Sequence, residues 1–178
     1  MREPADVSRL RALMRALGES ARDDCRVYLV GGASAVLEGW RSHTIDADIF
    51  VVPDSDALLQ AIPRIKESLR INVELVSPAH FIPELPAWQE RSRFIARHGK
   101  VSFFHYDFYA QALAKIERGE VKDQGDVAEM LKRRLIEASK AWELFRRIEP
   151  MLYRYPDLDP ASFRRSVEAS LGPEPSGP

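Results

Sequence analysis

Apolar residues recur at helical spacing over residues 5–20 (ADVSRLRALMRALGES), where Val7, Leu10, Leu13, Met14 and Leu17 share one face. The spacing predicts an amphipathic helix ending near Gly18. CRVYLV, 25–30, is a short apolar strand, and GASAVLEG, 32–39, is a two-turn helix bounded by glycines. TIDADIFVVP, 44–53, alternates apolar and polar positions up to a proline, which predicts a strand. DSDALLQAIPRIKESLR, 54–70, opens on cap-type residues and is helical, with a kink or break expected at Pro63. INVELV, 71–76, is a third strand, and 77–91, with Pro78, Pro83 and Pro86, reads as an ordered loop. RSRFIARHGKVSFFHYD predicts a hairpin turning at His98-Gly99, with a helix over 91–97 as the alternative.

From Asp107 the spacing becomes helical, with segments at 107–118, 122–137, 139–152 and near 160–170. These elements add up to an α+β fold, a small mixed sheet with flanking helices followed by a C-terminal helical region. The expected organisation is a core over 1–106, a helical region over 107–171 and a disordered tail, GPEPSGP, at 172–178.

Composition narrows the function classes. The 178 residues are 45% hydrophobic and 30% charged, which is globular usage. A net charge of −1, from 26 Lys+Arg and 27 Asp+Glu, excludes a global basic field, so any nucleic-acid contact must use a local patch. Cys25 is the only cysteine, which excludes an intrachain disulfide and fits a reducing compartment. The start, MREPADVSRL, lacks an apolar signal core, and no apolar run reaches membrane-spanning length. A cytoplasmic location without membrane association is expected.

Two short features carry candidate chemistry. The strand that ends at Gly31-Gly32 and turns into a helix presents free backbone N–H groups and a helix dipole, which suit a phosphate. Ser34 adds a hydroxyl. A plain tight turn explains the same glycines, and the spacing Gly31, Gly32, Gly39 does not match the dinucleotide fingerprint.

Fourteen positions after Gly32 stands Asp46, and then Asp48. In a strand Ile45, Ala47 and Ile49 point into a core and the aspartates point the other way, with backbones roughly 6–7 Å apart. Two carboxylates at that range repel by roughly 2–3 kcal/mol at an effective dielectric near 20. A hard divalent cation such as Mg²⁺ turns the repulsion into attraction; charges guarding an exposed strand edge are the competing explanation.

A phosphate-cradling turn followed by an Asp-x-Asp strand is what metal-dependent phosphoryl chemistry needs. In INVELV, Ile71, Val73 and Leu75 take one face while Asn72 and Glu74 take the other. Glu74 suits a third metal ligand or an acceptor for the proton of an attacking hydroxyl, and equally an exposed edge position.

In this order the residues GG…RSHTIDADIF resemble the signature of the DNA polymerase beta nucleotidyltransferase superfamily. The form GG-x(8)-R-x-x-T-x-D-x-D is similar to the minimal nucleotidyltransferases of bacteria, including the AbiEii/MenT-like toxins of toxin–antitoxin systems. FYAQALAKIERGEVKDQGDVAEML resembles the Lys-x-x-Arg…Asp-x-x-Asp helix pair that follows the catalytic domain in that group.

The resemblance implies Mg-dependent transfer of a nucleoside monophosphate from an NTP to a hydroxyl, on tRNA, on a partner protein such as an antitoxin, or on a small molecule. It implies that Gly31 and Gly32 hold the triphosphate and that Asp46, Asp48 and Glu74 hold two Mg²⁺. Lys115 would neutralise phosphate charge, with Asp123 and Asp126 ordering the site or touching the nucleotide. Arg41 and Thr44 fit the same pattern beside the aspartates. Glu74 stands where the superfamily more often has Asp, and this leaves a non-catalytic nucleotide-binding or regulatory module as the alternative function.

Without the resemblance, Lys115 and Arg118 make a phosphate patch or a plain helix face, Asp123 suits a helix cap, and Lys122 with Asp126 makes an i,i+4 pair. His105 and Asp107 are turn or surface residues, or substrate contacts. Lys132, Arg133, Arg134, Lys140, Arg146 and Arg147 form a solvated basic face, or an RNA-binding surface.

Overall fold

Residues 3–177 are described in the computed structural model. They form two units, one comprising residues up to Ser77 together with Ser92–Tyr106, the other Pro78–Arg91 and the residues from Asp107 onward. Residues 78–91, placed by sequence in the 1–106 segment, thus belong to the second unit.

In the first unit, α1 (Val7–Ser20) is capped by Asp6, whose carboxylate accepts from the Arg9 amide at 2.9 Å. β1 (Cys25–Val30) leads directly into α2 (Gly31–Glu38), which ends on left-handed Gly39. β2 (Asp46–Val52), α3 (Asp56–Leu69) and β3 (Asn72–Leu75) follow. β4 (Arg93–His98) and β5 (Val101–His105) form the expected hairpin, with Gly99 and Lys100 at its turn.

The five strands lie in the order β3-β2-β1-β5-β4. β1 pairs antiparallel with β2 and parallel with β5, while β3 runs parallel to β2 and β4 antiparallel to β5. The sheet is therefore mixed. One of its faces carries Val27, Leu29, Ala47, Ile49, Val51, Val73, Val101 and Phe103, packed with the apolar faces of α1, α2 and α3. Each fully buried aliphatic or aromatic side chain there contributes about 1.5–3 kcal/mol relative to an exposed one.

Two local expectations change. Pro63 does not break its helix: α3 runs on through it. Proline removes one backbone donor, and the buried row Leu58, Ala61, Ile62 and Ile65 holds the remaining turns against the core. Ile45, expected in the core, is 66% exposed because β2 begins only at Asp46. Thr44 is the buried residue there, exchanging backbone hydrogen bonds with Ala5. Leu75, on the strand face shared with Ile71 and Val73, is half exposed at the end of the edge strand β3.

The second unit is helical. The segment read as a loop over 77–91 contains a 3₁₀ turn at Pro78–His80 and a single helical turn, α4 (Trp88–Arg91). Then come α5 (Phe108–Arg118), α6 (Val121–Lys132), α7 (Ala138–Ile148), a 3₁₀ segment Glu149–Arg154 and α8 (Pro160–Leu171). The helix predicted over 122–137 stops early, at Lys132, because Arg134 takes a left-handed backbone, φ 57°. Trp142, Phe145 and Phe163 pack edge to face at 5.7 and 5.1 Å. Beyond α8, Gly172 accepts from the Trp142 indole at 3.1 Å and Glu174 meets Arg146 and Arg164. The expected disordered tail therefore begins with residues held by α7 and α8.

Candidate functional site

β1 ends at Val30, whose register partner across β2 is Asp48. The next residue, Gly31, takes φ 60°, a backbone that favours glycine, and turns the chain into α2. A Cβ on Gly31 would lie 3.2 Å from Asp48 Oδ2, so the helix start and the second aspartate are in contact. A Cβ on Gly32 would fall 2.1 Å from Thr44 Oγ1, with Arg41 Nη1 at 3.7 Å. Thr44 Oγ1 in turn donates to the Asp46 carbonyl at 2.9 Å. Gly31, Gly32, Arg41, Thr44, Asp46 and Asp48 are thus brought together. At Gly32 the missing side chain makes room for Thr44, a packing requirement within the chain rather than room for a ligand.

Asp46 and Asp48 are half-buried and share a face with Phe50, opposite Ala47, Ile49 and Val51. On β3, Asn72 is the register partner of Asp46 and Glu74 that of Asp48. Asn72 Nδ2 donates to Asp46 Oδ1 at 2.7 Å and to Glu74 Oε1 at 2.9 Å. Glu74 itself is exposed, on the sheet edge. The same face continues into aromatic residues: Tyr28 stacks on Phe104 at 5.3 Å and meets Tyr106 edge-on at 5.9 Å, and Phe50 lies 6.2 Å from Tyr106.

The donor set at the strand ends is entirely carboxylate oxygen, the chemistry that hard divalent cations select. Among the described residues no three His, Cys, Asp or Glu side chains already form a metal cage. A cation here would be held by Asp46 and Asp48, with Glu74 entering from the neighbouring strand.

Ser34 lies elsewhere than expected. It is fully buried, and its hydroxyl meets His105 Nδ1 at 2.7 Å. The other ring nitrogen, Nε2, stands 3.1 Å from Glu38 Oε1. Burial, helped by nearby Arg93, pushes the His105 pKa down to about 4. The neutral ring accordingly accepts the Ser34 proton at Nδ1 and donates to Glu38 from Nε2, which locks α2 to β5. His105 is neither a turn nor a surface residue.

In the second unit, Lys115, Arg118, Asp123 and Asp126 converge. Lys115 Nζ donates to Asp123 Oδ1 at 3.0 Å and Asp126 Oδ2 at 2.8 Å, and Arg118 pairs with Asp123 at 2.8 Å. Burial alone would raise the Asp123 pKa, but Lys115 and Arg118 outweigh it and hold the carboxyl below its ordinary range. Glu120, not Asp123, stands at the helix cap, and Lys122 pairs with Glu120 rather than with Asp126. Asp107, expected on the surface, is buried, caps α5 through the Tyr109 amide and pairs with Arg91 at 2.6 Å. Burial still raises its pKa. Within the basic face, Arg133, Lys140 and Arg146 pair with Glu129, Glu143 and Glu174.

Sequence reasoning passed over Asn72, whose only signal was its i−2 spacing from Glu74. It also passed over Glu38, which had none.

Among the described residues no helix is long and apolar enough to cross a membrane. No curated protein matches the chain. A solved structure, that of an antigenic nucleotidyltransferase-like protein from Paracoccidioides brasiliensis, aligns with TM-score 0.49 and 12% identity, covering 94% of this chain and 96% of that one. A family model described as a nucleotidyltransferase of unknown function (DUF6036) matches residues 7–155, and the chain belongs to that family.

Proposed function

We propose that this protein transfers a nucleoside monophosphate from an NTP to a hydroxyl acceptor, using two Mg²⁺ ions held by Asp46, Asp48 and Glu74. The observation that carries this reading is the contact between Gly31 and Asp48 Oδ2, a phosphate-type helix start beside a metal-type carboxylate. Gly31 and Gly32, at the start of α2, would offer the triphosphate backbone donors. Arg41, beside Gly32, meets phosphate charge, and Thr44 orients the strand carrying Asp46. Within the second unit, Asp123 and Asp126 fix the ammonium of Lys115, a cation that suits phosphate charge. When bound, the ions supply Lewis-acid stabilisation of the pyrophosphate leaving group and lower the pKa of the acceptor hydroxyl. Glu74, exposed on its strand, is the acceptor for that hydroxyl proton in the same reading.

The acceptor class we favour is a cytoplasmic RNA such as tRNA, or a partner protein, as in toxin–antitoxin systems of the AbiEii/MenT type. The experiment incubates the full chain with each labelled NTP, Mg²⁺ and total cell extract. Label is expected in RNA or protein with the native chain and not with Asp48→Ala. Equal labelling by the Asp48→Ala protein would refute the proposal.

A second reading, a non-catalytic nucleotide-binding module, is favoured by one observation: among the described residues no three His, Cys, Asp or Glu side chains form a ready metal cage. It is expected to show Mg²⁺-dependent thermal stabilisation by NTP without transfer of label.

A further inference from the structure

Asn72 is 6% exposed, and its amide nitrogen spends its two N–H groups on two different carboxylates, Asp46 and Glu74. The reverse amide orientation would set oxygen against oxygen at both contacts, so the chemistry assigns the nitrogen to the acids. The consequence appears at the other end of the amide. Asn72 Oδ1 is buried and has no hydrogen-bond partner among the described residues. An orphaned buried acceptor destabilises a fold, and a leucine of similar size would avoid it.

The two carboxylates give the stability of the fold little reason to retain the amide. Glu74 is exposed and Asp46 half-buried, so water can solvate both without help from Asn72. The amide instead fixes direction. Its hydrogen bonds go to Oδ1 of Asp46 and Oε1 of Glu74, one oxygen of each carboxylate. Because β2 and β3 pair in the register Asp46 with Asn72 and Asp48 with Glu74, the amide sits inside the acidic group rather than beside it. A lysine or arginine there would gather the acids equally well but would cancel the charge that attracts a cation. A neutral two-proton donor holds them in place and leaves their charge intact.

We propose that Asn72 is a positioning residue for the metal site: its amide orients the Asp46 and Glu74 carboxylates for a divalent cation, at the expense of its own unsatisfied oxygen. This rests on the metal-dependent reading above. Its contact is with the ligands, not with nucleotide or the reacting atoms. Hydrogen bonds that orient ligating carboxylates typically change metal affinity by about 10–100-fold when removed.

Mn²⁺ binding to the full-length protein, read from the free-ion electron paramagnetic resonance signal, tests this without relying on turnover. Thermal unfolding without metal is measured in parallel. Asn72→Leu is expected to weaken Mn²⁺ binding by about 10–100-fold, while its metal-free Tm stays level or rises. Asn72→Ala, which cannot overpack the site, reads the same affinity if the leucine is not accommodated. Native-like Mn²⁺ affinity in both variants, with the native protein binding Mn²⁺, overturns the positioning role alone. A Tm that drops sharply with affinity unchanged overturns it too, and marks Asn72 as purely structural. If the native protein binds no Mn²⁺, or Asp48→Asn binds it as the native protein does, the metal-dependent reading falls and the role of Asn72 with it.

Discussion

Gly31 and Asp48 are in contact: a methyl group on the glycine would stand 3.2 Å from the carboxylate Oδ2. The contact follows from β-ladder register. Val30 is the partner of Asp48, and Gly31 turns away from the ladder with φ 60°. The start of α2 thereby lies beside a carboxylate near the start of β2. The donors suited to an anion and the oxygens suited to a cation are neighbours, although seventeen positions separate them in the chain.

Asp48→Asn is expected to lower NTP-dependent labelling by about 100-fold or more, since a lost metal ligand removes several kcal/mol of transition-state stabilisation. Urea unfolding of the metal-free protein is expected to change little, because relief of repulsion from Asp46 and Glu74 offsets the lost local contacts of a half-buried side chain. A large drop in stability with labelling retained would reverse the assignment.

Gly32→Ala is expected to destabilise the protein by about 1–3 kcal/mol, the usual cost of overpacking. The new methyl would meet Thr44 Oγ1 at 2.1 Å and displace the hydroxyl that donates to the Asp46 carbonyl. Pairing it with Thr44→Ala should recover part of the loss, measured by denaturant midpoints.

His105 makes stability depend on acid. Its folded pKa of about 4 lies below the ordinary 6.5, so the unfolded chain takes up the proton first. The neutral ring contributes fully above pH 6.5, and its contribution is lost as pH falls from there through about 4. The loss amounts to on the order of 3 kcal/mol. Unfolding free energies measured across that window should flatten in His105→Gln, which does not titrate.

Lys115→Met should destabilise the protein by about 3–5 kcal/mol, because it removes the cation that the buried carboxylates Asp123 and Asp126 share. The double variant Lys115→Met/Asp126→Asn should recover much of this, since it removes the uncompensated charge along with its partner. Thermal unfolding of the single and double variants closes the cycle.

Much of the fold was legible because strands and helices advertise themselves through short-range periodicity. Val7 to Leu17 and the alternation from Asp46 to Val52 needed no knowledge of partners. The misread positions are those where a neighbour overrides local preference. Pro63 stays helical because its helix is held by the core, Ile45 lies outside because β2 begins one residue later, and Arg134 ends α6 with a left-handed backbone.

The candidate site divides in the same way. Asp46, Asp48, Gly31 and Gly32 stood out in the chain because two like charges in a strand and paired glycines are anomalies of local chemistry, whereas Lys115, Asp123 and Asp126 stood out through the family resemblance alone. Ser34 also stood out, but its hydroxyl is turned inward onto His105. Asn72 and Glu38 carry no such mark: an amide before a strand glutamate and an acid at a helix end are ordinary in sequence. Their roles arise from the β2–β3 register and from the packing of α2 on β5, which join residues 26 and 67 positions apart. Local preference writes itself into neighbouring residues, whereas strand register and burial are settled by the whole core, so the carboxylates and glycines could be singled out in the chain and the groups that contact them could not.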